Sequence, residues 1–199
     1  MPGHDEQIHA RHHSEYLHGP SIAALQDLVA VGSIEGYSLF VIDDLVPPQQ
    51  RRKFFPLALV ARRCTKFSAG YDATEPMLVL ANDSHAIGMV CVGPDAPCWR
   101  LSWTGDGSLR LLDKLSILEP RLTVARVWIA RDFRGRGLGS HMLRATADYL
   151  KMPCAKLAWE LPLTSDGAKL VRSVSPGEWL GRGDTGTLLQ TLEQFGGNR

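Results

Sequence analysis

The sequence lacks the features that mark disulfide-rich, zinc-binding and membrane-spanning proteins. Its few cysteines form no C-x-x-C pair and have no matching histidine spacing; they are Cys64, Cys91, Cys98 and Cys154. A disulfide framework is therefore not expected, and isolated thiols in a reducing compartment are the default. No segment approaches about eighteen consecutive apolar residues, and the N-terminus lacks the apolar core of a signal peptide. We therefore expect a cytoplasmic protein without a membrane span.

The sequence also lacks an excess of charge of either sign. Its 22 Lys and Arg side chains oppose 21 Asp and Glu side chains, which gives a formal net charge of +1. No basic field argues for nucleic acid as a partner. Within 49–66 the basic residues favour a solvated face over a surface for an acidic partner; they are Arg51, Arg52, Lys53, Arg62, Arg63 and Lys66.

Residues 1–19 are polar and hold five of the seven histidines, namely His4, His9, His12, His13 and His18. In a helix, His9 and His13 would share a face, a spacing that a metal site can use. No Cys or carboxylate completes a ligand set, so no metal is expected, and the segment is interpreted as a loosely ordered tail or a short docking helix. The remaining residues, 20–199, suffice for a single domain with a substantial core.

Helix and strand patterns alternate along 20–199. A helix is expected from Pro20 to a stop at Gly32, and another over 49–66, where Pro56 predicts a kink or two helical pieces. The expected strands are 37–42, 77–81, 86–92, 99–103, 155–161 and 177–181. Residues 93–121 either border the substrate or form an irregular surface hairpin. Further helices are expected at 165–174, capped by Thr164 or Ser165, and at 187–195.

Residues 122–150 carry the most informative pattern. Apolar and β-branched residues at 122–130 predict a buried strand, and apolar residues at helical spacing predict a helix over 140–151. Between them lies Arg134-Gly135-Arg136-Gly137-Leu138-Gly139. A strand, a glycine loop and a helix therefore follow one another directly.

A glycine loop at the start of a helix is suited to phosphate groups. The first backbone N–H groups of a helix have no intrahelical acceptor and lie at its positive end. Gly135, Gly137 and Gly139 let an anion approach the main chain without meeting a Cβ. Arg134 and Arg136 can neutralise charge at the edge of the loop. The stretch therefore predicts a site for a pyrophosphate.

The glycine spacing excludes two common phosphate loops. A dinucleotide fingerprint needs a further glycine where this sequence has Ser140 or Met142, and the Gly-Lys-Ser/Thr of a mononucleotide loop is absent. Arg134-x-x-Gly137-x-Gly139 between a strand and a helix instead resembles the acetyl-CoA loop of the GNAT superfamily of acyl-CoA N-acyltransferases.

The resemblance implies a fold, a cofactor and an activity. The implied fold is α/β (α+β) over roughly 38–181, a mixed, mostly antiparallel sheet with a parallel, splayed central strand pair and helices on both faces. The strands at 122–130 and 155–161 would be that pair, since a helix connects them. The cofactor would be acetyl-CoA, with a backbone N–H of Trp128, Ile129 or Ala130 pointing at the thioester oxygen. The expected cofactor-binding residues are Trp128, Ile129, Ala130, Arg134, Gly135, Arg136, Gly137, Leu138, Gly139 and Ser140.

Four segments are also similar to the cohesin acetyltransferases, a branch that modifies lysines on a chromosomal ring protein; they are 41–49, 87–88, 125–129 and 165–170. The polar positions believed to serve catalysis in that branch fall here on Ala125, Arg144 and Leu161. The zinc-binding finger of that branch has no Cys/His equivalent in this sequence. The resemblance therefore implies acyl-CoA chemistry and does not carry over the cohesin substrate.

The acceptor is expected to be a primary amine, on a small molecule or a protein lysine, that attacks without a covalent enzyme intermediate. Glu160 is the candidate general base, and the alternative is a solvated or paired surface carboxylate. Because the base and acid of the branch are missing, a catalytically idle acyl-CoA-binding regulatory module is the competing function. A nucleic-acid-associated protein using the basic residues of 49–66 is a third. The resemblance is compatible with a homodimer.

Overall fold

The computed structural model describes residues 4–65, 75–83, 85–93, 98–114 and 122–196. Its helices are α1 (His4–His18), α2 (Pro48–Arg51), α3 (Phe55–Thr65), α4 (Leu138–Tyr149), α5 (Ser165–Val174) and α6 (Thr185–Gln194). Its strands are β1 (Gly32–Ile34), β2 (Tyr37–Ile42), β3 (Met77–Asn82), β4 (His85–Gly93), β5 (Cys98–Trp103), β6 (Leu109–Lys114), β7 (Thr123–Ile129), β8 (Ala158–Glu160) and β9 (Glu178–Arg182). The chain divides into two compact units, Met1–Cys91 with Arg126–Met142 and Val92–Ala125 with Leu143–Arg199.

The first unit is built on antiparallel strands. β1, β2, β3 and β4 pair in that order, each antiparallel to the next, and β7 follows β4. β3 and β4 are buried along nearly their whole length, which explains why their sequences are continuously apolar rather than alternating. Phe54, just before α3, and Leu57, in its first turn, share one core with Ile42, Met77 and Met89 of the sheet. The α3 segment therefore covers this sheet with apolar side chains.

The second unit contains the parallel strands. Thr123 and Val124 of β7 pair in parallel with Ala158 and Trp159 of β8, and β8 pairs in parallel with β9. β9, β5 and β6 then pair antiparallel in that order. The predicted mixed, mostly antiparallel sheet with a parallel central pair is therefore confirmed, and β8 with β9 adds a parallel pair that the sequence did not predict.

Aromatic side chains pack β5, β9 and the end of α6 together in the second unit. Trp103 of β5 and Trp179 of β9 stack with their ring centroids 5.7 Å apart. Phe195, just after α6, meets Trp103 edge-on at 6.0 Å. The aromatic packing fixes the end of α6 against the β5–β9 pair, because offset and edge-on arrangements are the favoured geometries of aromatic rings.

Several predicted boundaries need correction around the central strand–loop–helix. α4 begins at Leu138 rather than at 140, directly after Gly137. The strand predicted at 155–161 is shorter, Ala158–Glu160, because Cys154–Lys156 forms a 3-10 turn behind Pro153. The order of strand, loop, helix and strand is confirmed.

The helix predicted from Pro20 to Gly32 is wrong. The carbonyl of Pro20 accepts a hydrogen bond from the Ala86 N–H at 3.0 Å, and Ser21 forms a bridge with His85. These bonds along β4 hold the chain extended, so that only a 3-10 turn at Ala23–Asp27 remains helical. The chain then enters β1, a short edge strand that the sequence did not predict.

Other predictions are confirmed within the described residues. The prediction of two helical pieces around Pro56 is confirmed by α2 and α3. Pro56 stands in the first turn of α3, where a helix tolerates proline. The hairpin of β3 and β4 and the terminal elements α5, β9 and α6 are present. The described part of the insert is the β5–β6 hairpin. Lys66, Ser84, 94–97 and 115–121 lie outside the described residues.

Residues 4–18 form α1, which corresponds to the docking helix rather than the loose tail of the two interpretations. His9 and His13 do share a face, with their rings stacked 6.5 Å apart. Among the described residues, no group of three or more His, Cys, Asp or Glu side chains is placed to hold a metal ion.

Candidate functional site

The glycine loop is tightly folded between β7 and α4. After Ile129 the chain makes a 3-10 turn at Arg131–Phe133 and then passes through Gly135 and Gly137 with φ of +76° and +77°. The carbonyl of Gly137 accepts the first helical hydrogen bond of α4, from the His141 N–H at 3.1 Å. The left-handed backbone at both glycines explains why the sequence has no side chain there.

The backbone of the loop is open to an incoming group. No described atom lies within 4 Å of a Cβ built on Gly135 or on Gly137. The N–H groups of Leu138 and Gly139 stand in the first turn of α4, where an α-helix has no carbonyl of its own to pair them. An anion can therefore reach both the main chain and the positive end of a twelve-residue helix.

The two arginines of the loop bind the main chain as well as carry charge. Arg134 Nε donates to the Ile129 carbonyl at 2.8 Å, and Arg136 donates to the Asp132 carbonyl at 2.8 Å. Both side chains are exposed. The sequence predicted their charge, and the structure adds that Arg134 ties the loop to the end of β7 and Arg136 ties it to the turn at 131–133.

Arg136 is also held from β2. Its guanidinium donates to the Tyr37 hydroxyl at 3.3 Å and lies over the Phe133 ring, 5.2 Å from the centroid. The rings of Tyr37 and Phe133 meet edge-on at 5.7 Å. Sequence reasoning did not identify Tyr37 or Phe133 as site residues, because Tyr37 reaches the loop only through the pairing of distant strands.

β4 fixes the start of the loop from the other side. The Ala130 N–H donates to the Ile87 carbonyl at 2.8 Å. A Cβ on the neighbouring Gly88 would lie 2.7 Å from Ile129 Cδ1 and 2.9 Å from Met142 Sδ. The register of β3 and β4 also shifts at Leu80, opposite Gly88. Gly88 therefore marks both a close approach of β4 to the loop and a bulge in the β3–β4 pairing.

The hydrogen bond of Ala130 distinguishes the three amides expected near the thioester. Successive N–H groups of an extended chain point to opposite sides. Since the N–H of Ala130 points to β4, that of Trp128 also faces β4, and that of Ile129 points away from it. Trp128 is fully buried and Ile129 half-buried.

The predicted loop residues are thus brought together. Trp128, Ile129 and Ala130 end the strand, Arg134 to Gly137 form the turn, and Leu138, Gly139 and Ser140 form the first turn of α4. Leu138 is buried under the turn, and Gly139 and Ser140 are half-buried. Open glycines, helix amides and two guanidinium groups are the donor set that a diphosphate requires.

Glu160 belongs to the second unit. It is the last residue of β8, is half-buried, and lies in register with Arg182 of β9. The resemblance to the cohesin branch singled out three further residues: Ala125 is half-buried in β7, Arg144 is exposed on α4, and Leu161 is buried.

The described cysteines are not poised as nucleophiles. Burial raises the pKa of the Cys91 thiol to about 12, because an ionised thiolate would lie in the core. Burial also raises the pKa of the half-buried Cys154. Neutral thiols are poor nucleophiles, so a covalent cysteine intermediate is not favoured at either position.

Within the described residues, no helix is long and apolar enough to cross a membrane.

The acetyltransferase domain of xEco2 shares this architecture in two solved structures. The acetyltransferase domain of xEco2, in a complex with a K105–CoA conjugate, superposes with a TM-score of 0.63 at 13% identity and covers 79% of this chain and 98% of its own. The structure of the xEco2 domain alone gives 0.63 at 14% identity, over 79% of this chain and 97% of its own. A ribosomal-protein-alanine N-acetyltransferase from Brucella melitensis biovar Abortus 2308 has a TM-score of 0.40 at 18% identity, over 69% and 90% of the two chains. A comparison with curated proteins gives no match.

The sequence also matches a family model, described as the acetyltransferase (GNAT) family, over residues 40–168. The matched region covers more than half of the chain and contains all of β7, the glycine loop and α4. Because the model match and the xEco2 fold agree, this chain belongs to the GNAT family of acyl-CoA N-acyltransferases, which take acetyl-CoA as cofactor and amines as acceptors.

Proposed function

We propose that this protein transfers an acetyl group from acetyl-CoA directly to a primary amine, on a small molecule or a protein lysine. The observation that carries the proposal is the open left-handed backbone at Gly135 and Gly137 in front of α4. When bound, acetyl-CoA supplies a thioester whose carbonyl carbon gains a C–N bond as its C–S bond breaks, with the CoA thiol as leaving group.

The loop residues have separate roles in this proposal. The amides of Leu138 and Gly139 and the guanidinium groups of Arg134 and Arg136 bind the diphosphate. The Ile129 N–H, which points away from β4, donates to the oxygen on which negative charge develops. A fixed main-chain donor suits this role, because it needs no rearrangement during the reaction.

Glu160 is the proposed base that takes the proton from the acceptor amine, directly or through water. The half-buried end of β8 supports this assignment. A protein lysine is the first acceptor class to test, because the xEco2 domain was solved bound to a K105–CoA conjugate.

Isothermal titration with acetyl-CoA tests the site itself. We expect saturable binding to the native protein and a loss of about tenfold or more in affinity for Gly137→Ala. A Cβ intrudes on the anion path, and the strain of positive φ, roughly 1–2 kcal/mol, favours a free loop that has left the binding conformation. The matched control is Gly105→Ala, at an open glycine in the β5–β6 turn whose φ is not positive. Absence of heat with the native protein would refute the proposed function.

The second candidate is a regulatory module that binds acyl-CoA without turnover. It is favoured by Ala125, Arg144 and Leu161, on which the resemblance places the polar positions believed to serve catalysis in the cohesin branch. Titration followed by a thioester-consumption assay over a panel of lysine peptides and small amines separates the two. Binding with no thioester loss across the panel supports the module, and release of CoA thiol with any one amine supports the enzyme.

A further inference from the structure

The N-terminal helix α1 lies against the glycine loop. The Tyr16 ring faces the guanidinium groups of Arg131 and Arg134, whose Cζ atoms lie 5.8 Å and 5.5 Å from the ring centroid. His18 Nδ1 lies 3.0 Å from a carboxylate oxygen of Asp132. α1 therefore contacts three residues of the turn that leads into Gly135, namely Arg131, Asp132 and Arg134.

The end of α1 is fixed to the same strand that fixes the loop. Gly19, at φ +90°, ends the helix, and a Cβ there would collide with the Ala86 carbonyl oxygen of β4. The next residue, Pro20, accepts a hydrogen bond from the Ala86 N–H. The adjacent Ile87 carbonyl accepts from Ala130. β4 is therefore a common support for the helix and for the start of the loop.

Ordering the glycine loop has an entropic cost. Residues 134–137 are exposed, and two of the four are glycines, which lose more conformational entropy on ordering than any other residue. A ligand that must order a loop loses affinity to that ordering, whereas a loop held in place beforehand does not impose the cost. Contacts from outside the loop are therefore relevant to the affinity of the site.

The chemistry of the Tyr16 contact suits a loop that must bind an anion. An aromatic face attracts a guanidinium through its quadrupole and leaves the positive charge in place. A carboxylate in the same position would hold the arginine equally well but would neutralise it and compete with a phosphate. Arg134 can therefore be held by α1 and still contribute charge to the site.

We propose that α1 is a positioning element for the acetyl-CoA loop, in which Tyr16 and His18 hold the 131–134 turn so that the loop amides are arranged before the cofactor arrives. The inference rests on the proposed function, because it assigns a role toward the same ligand. Neither side chain is a catalytic residue, and both act through the loop.

The surroundings of Tyr16 make it a suitable position for substitution. A cavity of about 310 Å³ lies between α1 and α3, lined by His12, Tyr16, Val60 and Arg63. Tyr16 is half-buried, and it both lines this space and contacts the two arginines. Loss of the ring therefore removes the contact with the loop while it disturbs little close packing.

The test compares Tyr16→Leu with Tyr16→Phe in the full chain, by isothermal titration with acetyl-CoA. We expect Tyr16→Leu to weaken binding by about five- to tenfold and Tyr16→Phe to keep the native affinity, because Phe retains the aromatic face. The matched control on the same helix is His13→Ala, whose exposed ring stacks on His9 rather than on the loop, and which should bind as the native protein does.

Hydrogen exchange of the ligand-free proteins supplies a second readout. The amides of 131–140 should exchange faster in Tyr16→Leu, with those of α6 unchanged, because the effect is confined to the loop.

Equal affinity of Tyr16→Leu and the native protein, or tighter binding by Tyr16→Leu, would overturn the positioning role while leaving the proposed function intact. A native protein that binds no acetyl-CoA would instead refute the proposed function. If Tyr16→Leu does not fold, His18→Leu decides the question by the same two measurements.

Discussion

Within the loop, the glycines allow a left-handed backbone, and the arginines provide both positive charge and hydrogen bonds. Gly135 and Gly137 adopt positive φ with open space where a Cβ would be. Arg134 and Arg136 donate to main-chain carbonyls of the residues just before them. Substitution of either arginine would therefore change the shape of the loop as well as its charge, and Lys would not be an equivalent replacement, since it lacks the guanidinium fork.

The catalytic assignment also belongs to the scale of one residue. Glu160→Gln keeps the size and the hydrogen-bonding capacity of the side chain but cannot accept a proton from the amine. With the best amine of the acceptor panel, we expect the turnover number to fall by about 100-fold or more while acetyl-CoA affinity is unchanged. The matched control is Glu178→Gln, at an exposed carboxylate that pairs with Arg100 at 3.6 Å. Undiminished turnover of Glu160→Gln would remove the assignment.

At the scale of an element, specific side-chain caps define the starts of α5 and α6. Thr164 accepts a hydrogen bond from the Gly167 N–H at 3.0 Å, and Asp184 accepts one from the Thr187 N–H at 2.7 Å. The Thr187 N–H holds the pKa of Asp184 below its usual value. The hydrogen bond therefore stabilises the folded protein when Asp184 is ionised. This stabilisation is present above the pKa of Asp184 in the unfolded state and is lost as the pH falls through its pKa in the folded state. The sequence left Thr164 and Ser165 as alternative caps of α5, and only the hydrogen bond distinguishes them.

The two candidate caps of α5 can be compared directly. Thr164→Ala should lower the free energy of unfolding by about 1 kcal/mol, because the Gly167 N–H loses its side-chain acceptor. Ser165→Ala should change it by less than about 0.5 kcal/mol, since Ser165 is an exposed residue inside the helix. Urea denaturation followed by circular dichroism measures both values. Equal losses for the two variants would contradict the cap assignment.

For the molecule as a whole, opposite charges are nearly balanced in number and partly paired in space. Lys53 lies 3.5 Å from Asp27, and Arg63 lies 3.5 Å from Glu15, so part of the basic stretch at 49–66 is matched by carboxylates. A net charge of +1 provides no long-range attraction for a polyanion. The third interpretation, a nucleic-acid-associated protein, therefore has weak physical support.

Salt dependence tests that interpretation. Fluorescence anisotropy with labelled duplex DNA and single-stranded RNA should show only non-specific binding, weaker than about 1 μM, at an ionic strength of about 0.15 M. A dissociation constant well below that value, with a steep dependence on salt, would restore the nucleic-acid interpretation. Arg52→Glu with Lys53→Glu would then identify the face, because reversal of two charges should weaken such binding strongly.

The sequence by itself determined the strand–loop–helix order at 122–150, the hairpin of β3 and β4, and the interruption at Pro56. Each of these depends on a local rule: apolar runs, glycines at positive φ, or the geometry of proline. The proposed acetyl-CoA loop could be named from the sequence for the same reason, since its candidate residues lie close together in the chain.

Tertiary structure alone decided the features that depend on distant partners. The segment after Pro20 is extended because β4 offers it hydrogen bonds, although its own pattern favours a helix. Tyr37, Tyr16 and His18 reach the loop only because β2 and α1 pack beside it. Local propensities are small compared with the hydrogen bonds and buried surface that strand pairing provides, and the partners of a strand edge or a loop cannot be read from the segment alone.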